Sequence, residues 1–202
     1  MSAVDILHKI AENHELDLSG RKTVVIGGGN VAVDVARSSK RCGADIIGMY
    51  CLESREEMPA SDEEVFETED EGITINNGWG LKEILTDSGK VCGVILKKCT
   101  SVKDETGRFN PQYDDNDTMQ LECDDVYLSI GQSILWGDML KNEKVELGRG
   151  NGPVADSLTY QTAQEDIFVG GDVYTGPKFA IDAIAAGKEG AESIHRFVHY
   201  NA

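Results

Sequence analysis

No Cys-x-x-Cys pair occurs among the five cysteines, Cys42, Cys51, Cys92, Cys99 and Cys123. Their scattered spacing suits neither a redox dithiol nor an iron–sulfur cluster. Free thiols in a reducing cytoplasm are therefore expected. No apolar run is long enough to span a bilayer, and nothing reads as a signal peptide. Basic residues are scarce, with 19 Lys and Arg against 36 Asp and Glu and a formal net charge of −17. That excess repels phosphate backbones and anionic lipid, so neither nucleic acid nor a membrane is an expected partner. Its ordinary use is solubility. The acidic run Glu69-Asp-Glu71 lacks metal-ligand spacing and is read as a solvated face, so no metal site is expected. What remains is an ordinary balance, 40% hydrophobic and 27% charged, in 202 residues. That length suits one large domain or two small ones.

The informative stretch is Thr23-Val-Val-Ile-Gly-Gly-Gly-Asn-Val-Ala-Val-Asp-Val-Ala36. The β-branched run Thr23 to Ile26 reads as a buried strand. Gly27-x-Gly29-x-x-Ala32 follows at once, and an apolar-periodic helix opens behind it. A strand before the motif and a helix after it give the order a dinucleotide fold requires. The first glycine permits the tight turn, the second lets backbone approach a pyrophosphate, and the small third residue lets helix and strand pack closely. Gly27, Gly28, Gly29, Asn30, Val31 and Ala32 are the candidate diphosphate residues, at the positive end of the helix dipole. Glu53 falls about twenty residues beyond the motif, where an acidic side chain meets the adenosine ribose. A carboxylate there accepts from a 2′-hydroxyl and repels a 2′-phosphate, which favours NAD(H) over NADP(H).

Taken in order, Ala3 to Asn13 reads as a helix with Ile6, Leu7 and Ile10 on one face. The motif helix stops at Gly43, and 44–51 reads as a second strand. Met58 to Val65 opens another helix, with Ser61 and Glu64 as a capping box and Ala60 and Val65 as its staple. Ile73 to Ile75 reads as a short strand. From Gly80 the pattern turns to period two, with a hairpin signal at Asp87-Ser-Gly89. Lys103 to Asp117 reads as a mobile polar loop. Asp125 to Gly131 reads as a buried strand with Gly131 at its carboxyl end, where open α/β sheets hold ligands. Residues 132–156 read as a linker, and Asp166 to Val173 as a further buried strand. Gly176-Pro177 is expected to start a last helix whose apolar side runs through Ala180, Ala183, Ile184, Gly187, Ala191, Ile194 and Val198.

Several of these pieces together resemble the C-terminal part of the glutamate synthase small-subunit family of flavin-dependent pyridine-nucleotide oxidoreductases. They are Val25-Ile-Gly-Gly-Gly-Asn-Val-Ala32, Ser54-Arg-Glu-Glu-Met-Pro-Ala60, Gly107-Arg-Phe109, Asp125 to Gln132 and Ile167 to Gly187. The resemblance implies an α/β fold in two parts. Residues 1–135 would form a Rossmann-like NAD(P)-binding domain, with a leading helix at 3–13 and an antiparallel β insertion at about 80–124. Residues 136–202 would be the trailing part of an FAD-binding domain. It also implies electron passage from NAD(P)H to FAD and onward to partner subunits or iron–sulfur clusters. Gly171 and Asp172 would meet the ribityl part of FAD, with the last helix pointing its N-terminus at the flavin ring. Arg55 lies within the matching Ser-Arg-Glu-Glu segment and is carried over as a cofactor contact. Where the family has an Arg-Arg pair that reads a 2′-phosphate, this chain has Leu52-Glu53, which strengthens the preference for NAD.

The family's first glycine fingerprint and its cluster cysteines are absent from this sequence. The expectation is a fragment that holds little FAD and is inactive alone, with apolar surface that drives it to a homodimer, a partner subunit or its missing flavin and iron–sulfur region. No catalytic acid, base or nucleophile is expected, because a flavin carries the chemistry and the protein positions it. A non-catalytic NAD(H)-binding or interaction module is the alternative. A dehydrogenase with its own substrate pocket lacks a catalytic constellation, and His195 and His199 read as a solvated face.

Overall fold

A computed structural model describes residues 1–12 and 16–200 of the chain. Asn13, the last residue of the expected first helix, and His14, read as solvated, lie outside the described residues. The chain divides into two compact units, Met1–Ile130 and Gly131–Ala202.

The first unit is built on four parallel strands in the order β3 (Ile75–Asn77), β2 (Asp45–Cys51), β1 (Lys22–Ile26) and β7 (Asp125–Leu128). Residues alternate between the two faces of this sheet, as the period of a strand requires. Val25, Met49 and Tyr127 point into one core with helices α1 (Ala3–Glu12), α2 (Asn30–Arg41) and α3 (Asp62–Asp70). Val24, Ile26, Tyr50 and Val126 point into a second core. That core is closed by an antiparallel sheet of β4 (Trp79–Asp87), β5 (Lys90–Lys103) and β6 (Phe109–Glu122). Val24 and Val25 are fully buried on opposite faces of one strand, each stabilising the fold by about 1.5–3 kcal/mol. The arrangement is the expected Rossmann-like α/β fold, with the antiparallel insertion that the period-two pattern predicts.

The antiparallel arm is longer than its sequence pattern suggests. Ser88 (φ 51) and Gly89 (φ 78) make the expected β4–β5 turn with both central residues at positive φ. The stretch 103–117, however, is not a loop. It is a second tight turn, in which the Asp104 carboxylate accepts from the Thr106 and Arg108 N–H groups, followed by the first half of β6. Phe109, Pro111 and Tyr113 alternate with polar residues, but the proline and the polar run Asp114 to Asp117 give the stretch the composition of a loop.

The start of α3 is also corrected. Ser61 Oγ accepts the Glu64 N–H at 3.3 Å, and Ala60 and Val65 are buried together. The reciprocal half of the capping box is missing. The Ser61 N–H donates instead to Asn30 Oδ1 at 3.0 Å. Glu64 turns to Arg37 of α2, whose guanidinium also binds Glu67 and Glu71 at 2.7 Å each. Part of the acidic face of α3 is thus a clamp on α2, not a solvated surface.

In the second unit, 132–156 is a folded loop, not a linker. The Trp136 indole N–H donates to the Asn151 carbonyl at 2.9 Å, and the Asn151 amide donates to the Ile134 carbonyl at 3.1 Å. Asp166 to Val173 forms no strand; Phe168 makes only an isolated bridge with Gln161. A strand needs a ladder of partners for its N–H and C=O groups, and the described part of this unit supplies only single bridges. Helix α4 (Asp172–Thr175) follows, and α5 (Ala180–Tyr200) begins three residues beyond Pro177. The stripe that α5 turns inward holds buried Ala186 and Ser193 and part-buried Gly190 and Phe197. The apolar side read from the sequence lies largely outward, with Ile184, Ile194 and Val198 exposed. Among the described residues, no helix is long and apolar enough to cross a membrane.

Arg37 holds α3 to α2 and sets an acid limit on the first unit. Burial alone would raise the Glu71 carboxyl, but hydrogen bonds from Arg37 and Arg41 hold it below its ordinary value of 4.5. A lowered carboxylate contributes stability above that value, lost as pH falls through the lower folded value. Arg37→Ala is expected to destabilise the protein by about 1–2 kcal/mol at neutral pH, the scale of lost charged hydrogen bonds. The loss should shrink below pH 4. Chemical denaturation of both proteins across pH 3–7 measures it.

Candidate dinucleotide site

The turn after β1 is fixed by contact with the end of β7. Gly27 has φ +138, and a Cβ built there would lie 2.4 Å from the Ser129 carbonyl oxygen. The Ser129 N–H donates back to the Ile26 carbonyl at 2.7 Å. Gly28 is crowded on the other side, where a Cβ would lie 2.9 Å from Cys51 Cβ and 3.0 Å from Glu53 Oε2. Gly29 differs from both. It has φ −94, and nothing lies within 4 Å of its missing Cβ. Protein contacts therefore require glycine at 27 and 28, whereas Gly29 leaves a clear approach to the backbone.

Helix α2 starts at this opening. Gly29 is its N-cap and provides no side-chain cap. Among the described residues, no group accepts the N–H of Gly28, Gly29, Asn30 or Val31. The Gly27 N–H is taken by the Tyr50 carbonyl at 2.9 Å, and the Ala32 N–H by the Gly29 carbonyl at 2.9 Å. Ala32 is fully buried, so it contributes close packing of helix on strand. The first turn of α2 carries no acidic residue, whereas that of α3 carries Asp62, Glu63 and Glu64. An N-terminus with unpaired N–H groups and no carboxylate of its own suits an anion.

A second wall stands beside the opening. The Ala60 N–H donates to the Gly28 carbonyl at 3.0 Å, next to the Ser61 to Asn30 bond. Segment 58–61 is thereby strapped to the glycine turn. Sequence reasoning assigned Asn30 to the ligand alone and missed this strap. It also missed Asn77, whose Nδ2 donates to the Glu53 carbonyl at 3.1 Å and contacts Cys51 Sγ at 3.3 Å. A polar residue closing β3 at the carboxyl edge of a parallel sheet was the available signal. Glu53 is thus held at its backbone with its carboxylate beside Gly28. Burial first, then the Glu53 charge, pushes the Cys51 thiol up to about 12, which leaves it protonated and unreactive at neutral pH. Arg55 is only loosely paired, 3.9 Å from both Asp62 and Glu69.

The remaining candidates belong to the second unit. Gly131 has φ +104 and opens it. Gly171 has φ +68 and packs its missing Cβ 3.7 Å from Ala183 Cβ. Asp172 is exposed at the start of α4, and no hydrogen bond to its carboxylate is seen among the described residues. The N-terminus of α5 is partly engaged by its own Asp182, which accepts the Phe179 N–H at 3.1 Å.

Sheet order, glycine turn and open helix N-terminus together define a dinucleotide-binding unit of the Rossmann type. The chain belongs to the pyridine nucleotide-disulphide oxidoreductase family, which matches residues 3–187 and couples flavin with nicotinamide dinucleotide. The NADP(+)-dependent formate dehydrogenase subunit beta of Moorella thermoacetica is 32% identical over 186 residues, 90% of this chain and 26% of that one. The glutamate synthase [NADPH] small chain of Azospirillum brasilense is 29% identical over 194 residues, 95% of this chain and 40% of that one. The chain therefore spans between a quarter and two fifths of the length of these relatives. Thioredoxin reductase of T. acidophilum superposes with a TM-score of 0.69 at 24% identity, covering 90% of this chain and 54% of that one. That likeness supports the fold.

The three glycines separate by their surroundings. Gly27→Ala meets backbone at 2.4 Å in a conformation L-residues avoid and is expected to lose more than about 2 kcal/mol of stability. Gly29→Ala meets nothing and should change stability by under about 0.5 kcal/mol. Thermal melts of the two variants test the difference.

Proposed function

We propose that the chain is the nicotinamide-dinucleotide-binding portion of a flavin-dependent oxidoreductase. In this reading hydride from NADH, in preference to NADPH, passes to FAD and onward to a partner subunit, as in the glutamate synthase small-subunit group. The observation that carries the reading is the set of unpaired N–H groups at Gly28, Gly29, Asn30 and Val31, opening where Gly29 leaves space. A diphosphate would accept from these groups. Gly27 and Ala32 would shape the turn, and the strap from Ala60 and Ser61 would hold it still. FAD supplies the hydride-accepting chemistry when bound; the protein's part is to orient the dinucleotide and exclude water.

Glu53 carries the preference for NADH. Its carboxylate, held beside Gly28, would accept from an adenosine 2′-hydroxyl and repel a 2′-phosphate. Arg55, loosely paired nearby in sequence, works in the opposite direction. Both relatives described above carry NADP(H) in their names, which makes this the sharpest point to test. In the second unit, Gly131 and Gly171 would let backbone approach FAD, and the exposed Asp172 carboxylate would accept from its ribityl hydroxyls. The outward apolar side of α5 is proposed to seat a second copy or a partner subunit, and light scattering that finds only monomer across micromolar concentrations would exclude the second copy.

Titration calorimetry with NADH and NADPH side by side is the deciding measurement. NADH should bind at least about tenfold more tightly, a difference of about 1.4 kcal/mol. Glu53→Gln should narrow the gap, and Gly29→Ala should weaken both ligands without lowering the melting temperature. Tighter NADPH binding would overturn the preference, and binding of neither would overturn the site. Adding FAD and a dye acceptor then separates an electron-transfer portion, which turns over, from a non-catalytic binding module, which does not.

A further inference from the structure

Strands β5 and β6 share a row of side chains facing the second core. Leu96 lies opposite Met119, and Val94 opposite Leu121. The ladder ends with Gly93 opposite Glu122, and one residue beyond it Cys92 and Cys123 lie side by side. The Cys123 N–H donates to the Cys92 carbonyl at 3.4 Å, as directly opposed antiparallel residues do. Opposed residues of this kind have Cα atoms about 5.5 Å apart, within the span a disulfide bridges. The two thiols differ in access. Cys92 is exposed, whereas Cys123 is buried among Val24, Val94 and Val126. Both are free thiols here.

We propose that Cys92 and Cys123 are a reversible cross-strand redox pair, closed by exchange with a low-molecular-weight disulfide. The Cys92 thiolate attacks one sulfur of that disulfide, forming a mixed disulfide and releasing one small thiol. The Cys123 thiolate then attacks the Cys92 sulfur, closing the protein bond and releasing the second small thiol. Two protein thiols are oxidised, one small disulfide is reduced to two thiols, and the two protein protons leave with them. Entry is through Cys92 because it is exposed; burial, then the nearby Asp124 and Asp125 charges, pushes the Cys123 thiol up to about 11. The bond would tie the root of the antiparallel arm to the segment entering β7. There Asp124 accepts the Lys22 N–H at 2.8 Å at the start of β1. Cys51 and Cys99 form no comparable pair, since both are buried and neither offers an exposed attacking sulfur.

The test incubates the folded chain with oxidised glutathione, blocks remaining thiols, and maps the peptides by mass without reduction. A Cys92–Cys123 cross-linked peptide, two hydrogens lighter than its parts and reversed by dithiothreitol, is expected. Cys123→Ser should instead hold glutathione on Cys92, and Cys92→Ser should take up none at either position. A wild-type protein that retains glutathione on Cys92 without cross-linking, that cross-links a different pair, or that does not react while folded overturns the proposal.

Discussion

Gly27 and the Ser129 carbonyl approach more closely than any side chain would allow, and the first unit is arranged around that contact. It draws the ends of β1 and β7 together at the point where the strand order reverses direction. The chain leaving β1 must turn at once, and α2 begins two residues beyond the crowded glycines. Because β2 ends against Gly28 on the opposite side, the turn is gripped from both neighbouring strands. Gly29 alone is left open. The unpaired N–H groups are thus a by-product of a packing solution: the geometry that closes the sheet also strips the helix of a side-chain cap.

Such an N-terminus is useful only if the helix stays put. Two sets of contacts from the α3 segment hold it. At the opening, backbone N–H groups of Ala60 and Ser61 bind the Gly28 carbonyl and the Asn30 side chain. Further along, Arg37 is gripped by Glu64, Glu67 and Glu71, with Arg41 joining at Glu71. Asn30 and Glu64 each make a contact that their local sequence does not suggest. Asn30 looks like a ligand contact, and Glu64 looks like the return half of a capping box. Each side chain joins one element to another, which a local pattern has no means to express.

That distinction separates what was legible from what was not. The β1–glycine–α2 unit could be read because the strand, the turn and the helix are consecutive and each needs its own residue types. The β4–β5 turn at Ser88-Gly89 was legible for the same reason. The first half of β6 was hidden because its short alternation, Phe109, Pro111 and Tyr113, contains a proline and runs into the polar Asp114 to Asp117, and its pairing with β5 is a long-range fact. Asp166 to Val173 failed in the opposite direction: it has the composition of a buried strand, but the described part of its unit supplies no ladder. On α5, alanines and isoleucines traced one side of the helix, whereas Ala186, Gly190, Ser193 and Phe197 mark the buried stripe. Small residues permit burial on either side, so periodicity alone could not choose.

Charge supplies the remaining step. A protein with a formal net charge of −17 repels an anionic ligand at long range, so attraction must be local. The first turn of α2 is free of acidic residues, while α1, α3 and α5 each carry at least one. In a chain where nearly one residue in five is acidic, that gap leaves the positive end of one dipole uncancelled. Glu53 then stands beside the opening, its Oε2 3.0 Å from where a Gly28 Cβ would lie. A diphosphate facing four N–H donors is favoured over the short range at which such dipoles act, while an additional phosphate near Glu53 would meet repulsion from both the carboxylate and the overall field. In the proposed reading, selectivity for the unphosphorylated ribose would require no positive recognition beyond one hydrogen-bond acceptor, because a neutral hydroxyl would lie where a further anion is disfavoured.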